Sequence, residues 1–425
     1  MNLRTRLRST LMRVVASGSY QQFLRASARR RRARRAEPPS VHYFHEVSDP
    51  YSHLAVQRLD ALREKYSLTF LVHLVSAAAP AYRGDAARFD EWARNDAASV
   101  AAGFGVTFPG AGTLPAAPAI NEAISVLQNK VDDNDFAGAA IDIGRALWNG
   151  ELKGMETAPD LSAGNALRAE LGHYAGAMFW FDGEWYWGLD RLELLERRLI
   201  EEGFGQGEPL VRRPYIDVPA GCGKDQKLEV FPSLRSPYTA ISFDRIMAMA
   251  DHAGVKIKIR PVMPMMMRGV PAPRRKALYI LFDSAREARR DGIPFGKAVD
   301  PFGEPVKLGF SLYPFADQQG KGREYISRYL RAAWAEGLDI TRPRALQRII
   351  EDIGLSWQHA EPHLGGNEAE ALLEANVQDL LAAGLWGVPS FRLSGGDTPP
   401  FSCWGQDRLW RVEQEIVQRS GGSLA

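Results

Sequence analysis

Apolar positions along the 425-residue chain form a series that occurs twice. The first series opens with an apolar strand, Val41 to Val47, running into Ser48-Asp49-Pro50-Tyr51-Ser52 and a helical pattern through Leu54, Leu59 and Leu62. A second apolar strand, Leu68 to Val75, precedes a long helical stretch. Then come Gly176-Ala177-Met178-Phe179, a hairpin through Asp182-Gly183-Glu184, and Trp187-Gly188-Leu189-Asp190-Arg191-Leu192 leading into a helix. The second series opens with Leu228 to Ser233, then Arg235-Ser236-Pro237-Tyr238-Thr239 and a helix through Ile246 and Met249. Its second strand is Val255 to Ile259, and it closes with Gly387-Val388-Pro389-Ser390-Phe391 and Trp404-Gly405-Gln406-Asp407-Arg408-Leu409. Strand, helix, strand, helical block, hairpin, helix is an α/β order with helices packed on a small sheet. Its recurrence predicts two like domains in tandem. The Gly- and Pro-containing stretch 205–226 reads as a linker, which leaves a tail, 1–36, and domains at 37–204 and 227–425.

Composition changes this picture at the tail. Residues 1–36 hold eleven arginines and no acid, and without them the 53 basic side chains fall below the 51 acidic ones. The body is therefore mildly acidic, and no specific nucleic-acid surface is predicted. Within the tail, Leu3, Leu7, Leu11, Val14 and Val15 recur at helical spacing among Arg4, Arg6, Arg8 and Arg13, with a second arginine cluster from Arg29 to Arg35. Such a helix can lie on an anionic membrane or other polyanion, can serve as an organelle presequence, or can be a solvated extension without a partner. No apolar run is long enough to cross a bilayer. Two cysteines without close spacing, Cys222 and Cys403, fit a reducing, cytoplasmic setting and form no Cys-x-x-Cys pair. His42 and His45, three apart on a strand, fall on opposite faces, so no metal site is predicted there.

Three segments of the second series carry a resemblance. Ser236-Pro237-Tyr238-Thr239, Gly387-Val388-Pro389-Ser390-Phe391 and Trp404-Gly405-Gln406-Asp407-Arg408-Leu409 resemble, in order, the S-P-[YF]-[ST], G-V-P-[ST]-F and W-G-x-D-R-L motifs of the DsbA-like branch of the thioredoxin superfamily. More narrowly, they look like those of 2-hydroxychromene-2-carboxylate isomerases and kappa-class glutathione transferases. The resemblance implies an α/β fold of two tandem thioredoxin-like domains, each with a helical insertion, and a cis bond before Pro389. It also implies glutathione as cofactor and a small, aromatic-derived substrate. Ser236 would stabilise the glutathione thiolate, and Val388 would pair with its cysteinyl backbone. Gln406 and Asp407 would take its γ-glutamyl end, and Arg268 would hold its glycine carboxylate.

The chemistry has a physical basis, since a hydroxyl at a helix N-terminus can donate to a thiolate where aligned N–H groups favour negative charge. Simpler readings stand beside it. Ser236 can be only an N-cap ahead of Pro237, Asp407 can be a cap, and the run Met263 to Met267 can be core rather than pocket wall. The first series has Asp49 where the second has Ser236, and Ala177 where it has Pro389. A carboxylate at that point opposes thiolate formation. The first domain thus reads as a structural or docking partner, and the second as the candidate glutathione-dependent isomerase or transferase. The alternative is a non-catalytic binding or scaffold protein tethered by its tail.

Overall fold

The computed structural model describes residues 3–109 and 113–422, and of residues 3–5 and 8 the backbone alone. The side chains of Leu3, Arg4 and Arg8, named above for the tail helix, thus lie outside the described residues. The chain divides into two compact units, residues 22–214 and residues 1–21 with 215–425. The division falls after Pro214, inside the stretch read as a linker. That stretch is docked rather than loose. The amides of Leu210 and Val211 donate to the Glu196 carboxylate at 2.7 and 2.8 Å, whereas Gly221 and Gly223 donate to the carbonyls of His252 and Ala253.

The tail is helical, as α1 (Leu3–Val15) and α2 (Gly18–Arg34). Met12 packs against the core of the unit that contains 215–425, Ala16 is buried, and the Arg289 guanidinium donates to the Ala16 carbonyl at 2.7 Å. Past residue 21 some of the arginines pair with acids of the 22–214 unit. Arg25 reaches Glu184 at 2.7 Å, Arg32 grips both oxygens of Asp182, and Arg29 lies 3.3 Å from Glu202.

In the 22–214 unit, β1 (Ser40–His45) pairs in parallel with β2 (Thr69–Leu74) and antiparallel with β3 (Met178–Phe181), which pairs with β4 (Glu184–Trp187), in the order β2-β1-β3-β4. Helix α3 (Pro50–Val56) follows β1, four longer helices between 86 and 170 form the insertion, and α4 (Gly188–Glu201) follows β4. The other unit repeats this. Strand β5 (Lys227–Phe231) leads into α5 (Pro237–Ala253) and β6 (Lys256–Ile259). A helical block opening with α6 (Arg274–Arg290) precedes β7 (Ser390–Ser394), β8 (Phe401–Trp404) and α7 (Leu409–Arg419), in the order β6-β5-β7-β8. The α/β class with two like sheets, each interrupted by a helical insertion, is therefore what the chain adopts. Leu228, Val230, Phe391 and Leu393 are cross-strand neighbours on one face of the sheet and are fully buried, whereas the opposite face of the same central strands carries Glu229, paired with Arg260 at 2.7 Å.

The duplication reaches single hydrogen bonds. Asp49 N–H donates to the Glu46 carbonyl and Ser236 N–H to the Ser233 carbonyl, both at 3.0 Å. Glu46 N–H donates to Ser52 Oγ, and Ser233 N–H to Thr239 Oγ1. Gly188 N–H donates to the Ala177 carbonyl at 2.7 Å, and Gly405 N–H to the Pro389 carbonyl at 2.9 Å. The repeats differ in the first helix. The pattern through Leu54, Leu59 and Leu62 reads as one helix, but α3 ends at Val56 and a second helix, Leu59–Lys65, starts afresh. The Gln57 side chain donates to the His53 carbonyl and to Thr107, and the Arg58 guanidinium to the carbonyls of Phe104 and Gly105, which pull the chain out of its helical path.

Candidate active site

Strand register gathers the predicted residues of the 215–425 unit at one end of its sheet. Phe231, the last residue of β5, pairs with Ser390, the first of β7, and Ser390 also pairs with Trp404, the last of β8. The turn holding Ser236, the Val388–Pro389 loop and the Gln406–Arg408 turn are each within five residues of those pairs. The chain after β6 joins them, since Val262 N–H donates to the Pro232 carbonyl.

Ser236 caps α5. Its backbone is extended, Pro237 occupies the first helical position, and its Oγ accepts the Thr239 N–H at 3.1 Å. A serine hydroxyl has one proton and two lone pairs, so this cap leaves the proton available, and among the described residues it donates to no acceptor. Arg235 holds the turn from outside by a bidentate pair with Asp300 at 2.7 and 2.9 Å and stacks on the Phe302 ring. Trp334 Nε1 donates to the Leu234 carbonyl at 3.1 Å from the helical block.

The Val388–Pro389 bond is cis. Gly387 before it is packed against Trp404 so closely that a Cβ would lie 1.9 Å from the indole. Arg268 is half-buried. Its Nε donates to the Met263 carbonyl at 3.0 Å and its Nη2 to the Trp386 carbonyl at 2.6 Å, which ties the methionine turn to the cis-proline loop. Met266 on that turn is 39% exposed, whereas Met263 and Met267 pack at the edge of the core. Gln406 is 2% exposed. Its amide lies between Glu287 and Arg245, at 3.0 Å from each, so its side chain belongs to a buried polar network. Asp407 is half-buried, inside the short turn Gln406–Arg408, and accepts from Gln406 at 2.5 Å. Cys403 is buried in β8.

Helix α6 contributes residues that the sequence reading did not single out. Tyr238 Oη donates to Asp283 at 2.8 Å and Arg245 to Asp291 at 2.6 Å, so α5 and α6 run in the same direction. Because Tyr238 lies at the start of α5, the part of α6 before Asp283 extends past the N-terminus of α5, on the side of Ser236. Lys276 and Tyr279 lie there, at helical spacing from Asp283. Burial pushes the Lys276 ammonium down to about 8. A lysine at i−7 from an acid is detectable in a sequence, but only tertiary pairing of the helices gives it a position.

The equivalent turn in the 22–214 unit is capped by a carboxylate instead of a hydroxyl. Asp49 caps α3, accepting from Tyr51 and Ser52 N–H at 3.2 and 3.1 Å and from Ser52 Oγ at 3.0 Å. Burial raises its carboxyl to about 6 and, with the charge of Asp49, raises Glu46 to about 8. Ala177 has φ +50° and donates its N–H to Ser52 Oγ at 2.8 Å, so that backbone group is satisfied within the protein. A cleft of about 530 Å³ adjoins the turn, between Ser48, Ser76 and Asn165 on one side and Ile120 and Ile124 on the other. In β1, His42 stacks on His73 and shares a hydrogen bond of 2.9 Å with it, and His45 is buried against the Tyr43 hydroxyl.

Residues 227–417 match the DSBA-like thioredoxin domain. Glutathione S-transferase kappa 1 of Rattus norvegicus is 25% identical over 198 residues, which are 43% of this chain and 87% of that protein. Among solved structures, a 2-hydroxychromene-2-carboxylate isomerase is 20% identical and covers 45% of this chain and 95% of its own, with a TM-score of 0.38. The cytosolic disulfide reductase DsbM of Pseudomonas aeruginosa, solved with GSH, is 18% identical over 45% of this chain and 99% of its own, with a TM-score of 0.35. The two cysteines of the chain, Cys222 and Cys403, form no Cys-x-x-Cys pair.

Proposed function

We propose that the DSBA-like domain binds glutathione at the Ser236 turn and uses it in isomerisation of, or transfer to, a small aromatic-derived electrophile. The observation that carries this reading is the state of the Ser236 hydroxyl, which caps α5 with a lone pair and keeps its proton for an anion. The similarity to the rat kappa transferase, whose name specifies glutathione, supports the same ligand.

The donor set fits a tripeptide with two carboxylates. Ser236 would hold the sulfur as thiolate, with the first N–H groups of α5 adding favourable field. Val388 would offer its backbone to the cysteinyl residue as an added strand does. The N–H groups of the Gln406–Arg408 turn would take the γ-glutamyl carboxylate, and Asp407 its ammonium. Gln406 contributes only backbone, because its amide is held by Arg245 and Glu287. Arg268 would direct its remaining Nη1 to the glycine carboxylate, which makes it a positioning residue as well as a binding one. Bound glutathione supplies a thiol sulfur able to add reversibly to an unsaturated carbon. Met266 would wall the electrophile's apolar side.

The test is calorimetric titration of glutathione, with thiolate absorbance followed in the ultraviolet, into the wild type, Ser236→Ala and Ser236→Asp. Aspartate at this position keeps the cap, as Asp49 does in the other unit, and places a negative charge where the thiolate belongs. Thiolate formation in the wild type, and its loss in both variants with Ser236→Asp still folded, is the expected result. No binding at millimolar glutathione would sink the enzyme reading. Binding without ionisation, unchanged by either variant, would favour a non-catalytic scaffold, for which the two structural bonds of Arg268 already speak.

A further inference from the structure

Helix α1 has two apolar faces, and the core accounts for only one. Met12 and Ala16, four residues apart, face the unit that contains residues 215–425. Leu7, Leu11 and Val14, spaced i, i+4 and i+7, form a second stripe and are 62%, 63% and 47% exposed. Arg6 and Arg13 are exposed beside it, and α1 contains no acid. We propose that this outward stripe of α1 is a docking face for an anionic lipid bilayer, lying in the plane of the headgroups.

Charge selects the occupant. Three exposed aliphatic side chains bordered by arginine, on a segment without a carboxylate through residue 36, complement a surface that is apolar beneath and anionic above. A second copy of this face is a poor match, because it would set arginines against arginines. Arg25, Arg29 and Arg32 of α2 pair with Glu184, Glu202 and Asp182, whereas Arg6 and Arg13 of α1, like Arg30, Arg31 and Arg34 of α2, have no carboxylate partner among the described residues, so it is the aliphatic stripe beside Arg6 and Arg13 that sets α1 apart. Among the described residues no helix is long and apolar enough to cross a membrane.

The test is vesicle co-sedimentation of the full chain, with phosphatidylcholine vesicles compared with phosphatidylcholine–phosphatidylserine vesicles. The wild type is compared with the double variant Leu7→Glu/Leu11→Glu and with Arg6→Gln/Arg13→Gln. All four positions are exposed, so a thermal melt should be unchanged. The expected result is binding to the phosphatidylserine vesicles that falls about tenfold or more in the stripe variant, weakens in the arginine variant and declines with salt. Failure of the wild type to bind would overturn the proposal, as would binding indifferent to the stripe variant. Self-association abolished by the stripe variant, without vesicle binding, would assign the face to a second copy and equally overturn it.

Discussion

Ser236 shows how one side chain can cap a helix and still hold a hydroxyl proton. Its lone pair satisfies an otherwise orphaned N–H of α5, and among the described residues its proton has no acceptor. Capping therefore does not argue against catalysis. Removal of the cap costs about 1 kcal/mol, so Ser236→Ala should lower the melting temperature modestly while Ser236→Asp should not. Arg268 holds the carbonyls of Met263 and Trp386, and the proposed function adds a glycine carboxylate to its partners. Arg268→Met should weaken glutathione affinity about tenfold and spare the thiolate absorbance once glutathione is saturating, which calorimetry with spectroscopy would separate. Gly387 has no such latitude. With the Trp404 indole 1.9 Å from a would-be Cβ, Gly387→Ala must displace the ring, at a cost of about 1–3 kcal/mol. Thermal unfolding would register the loss, and glutathione titration should show weaker binding, because Trp404 leads directly into the Gln406–Arg408 turn.

At the scale of elements, the turn from β1 into α3 has its own titration. Burial raises Glu46 and Asp49 above their ordinary values, to about 8 and about 6. The folded state then binds protons more tightly than the unfolded chain. The stability this adds is complete below the unfolded values and is lost as pH rises through 6 and 8. Buried His45, His53 and His73 act in the opposite sense. Burial lowers them to about 3, 4 and 4 from 6.5, so their contribution is lost as pH falls below 6.5. From pH 6.5 to 8 the carboxyls dominate, and the 22–214 unit should become less stable. Hydrogen exchange of the α3 amides, corrected for intrinsic rates, should accelerate over that range, and Glu46→Gln should remove most of the slope.

For the whole molecule, the duplication predicts stoichiometry. The two units share strand order and turn hydrogen bonds, but the helix after the first strand is capped by Ser236 in one and by Asp49 in the other, and Ala177 stands where the other unit has the cis Pro389. Saturating titration should therefore give one glutathione per chain, and Ser236→Asp should abolish it entirely. A second equivalent persisting in that variant would mean that the 22–214 unit binds glutathione despite Asp49.

Local pattern determines most of the architecture. Alternation and apolar runs marked the strands, Ser236-Pro237 and Trp404-Gly405 marked helix starts, and their recurrence at Asp49-Pro50 and Trp187-Gly188 revealed the repeat. Those signals are legible because strand pairing, capping and turn formation depend on residues close in sequence. The fates of long polar side chains were not legible, because their partners lie far along the chain. Arg25 meets Glu184 across 159 residues, Gln406 meets Glu287 across 119, and Arg268 meets Trp386 across 118. A guanidinium or amide reaches whichever acceptor folding brings within 3 Å, and composition cannot say which. The same limit applied to α1, where helical spacing announced one apolar face and tertiary packing of Met12 and Ala16 created two. What the sequence determined was where each element starts and what it repeats; tertiary structure decided which polar and apolar groups remained for a ligand or a surface.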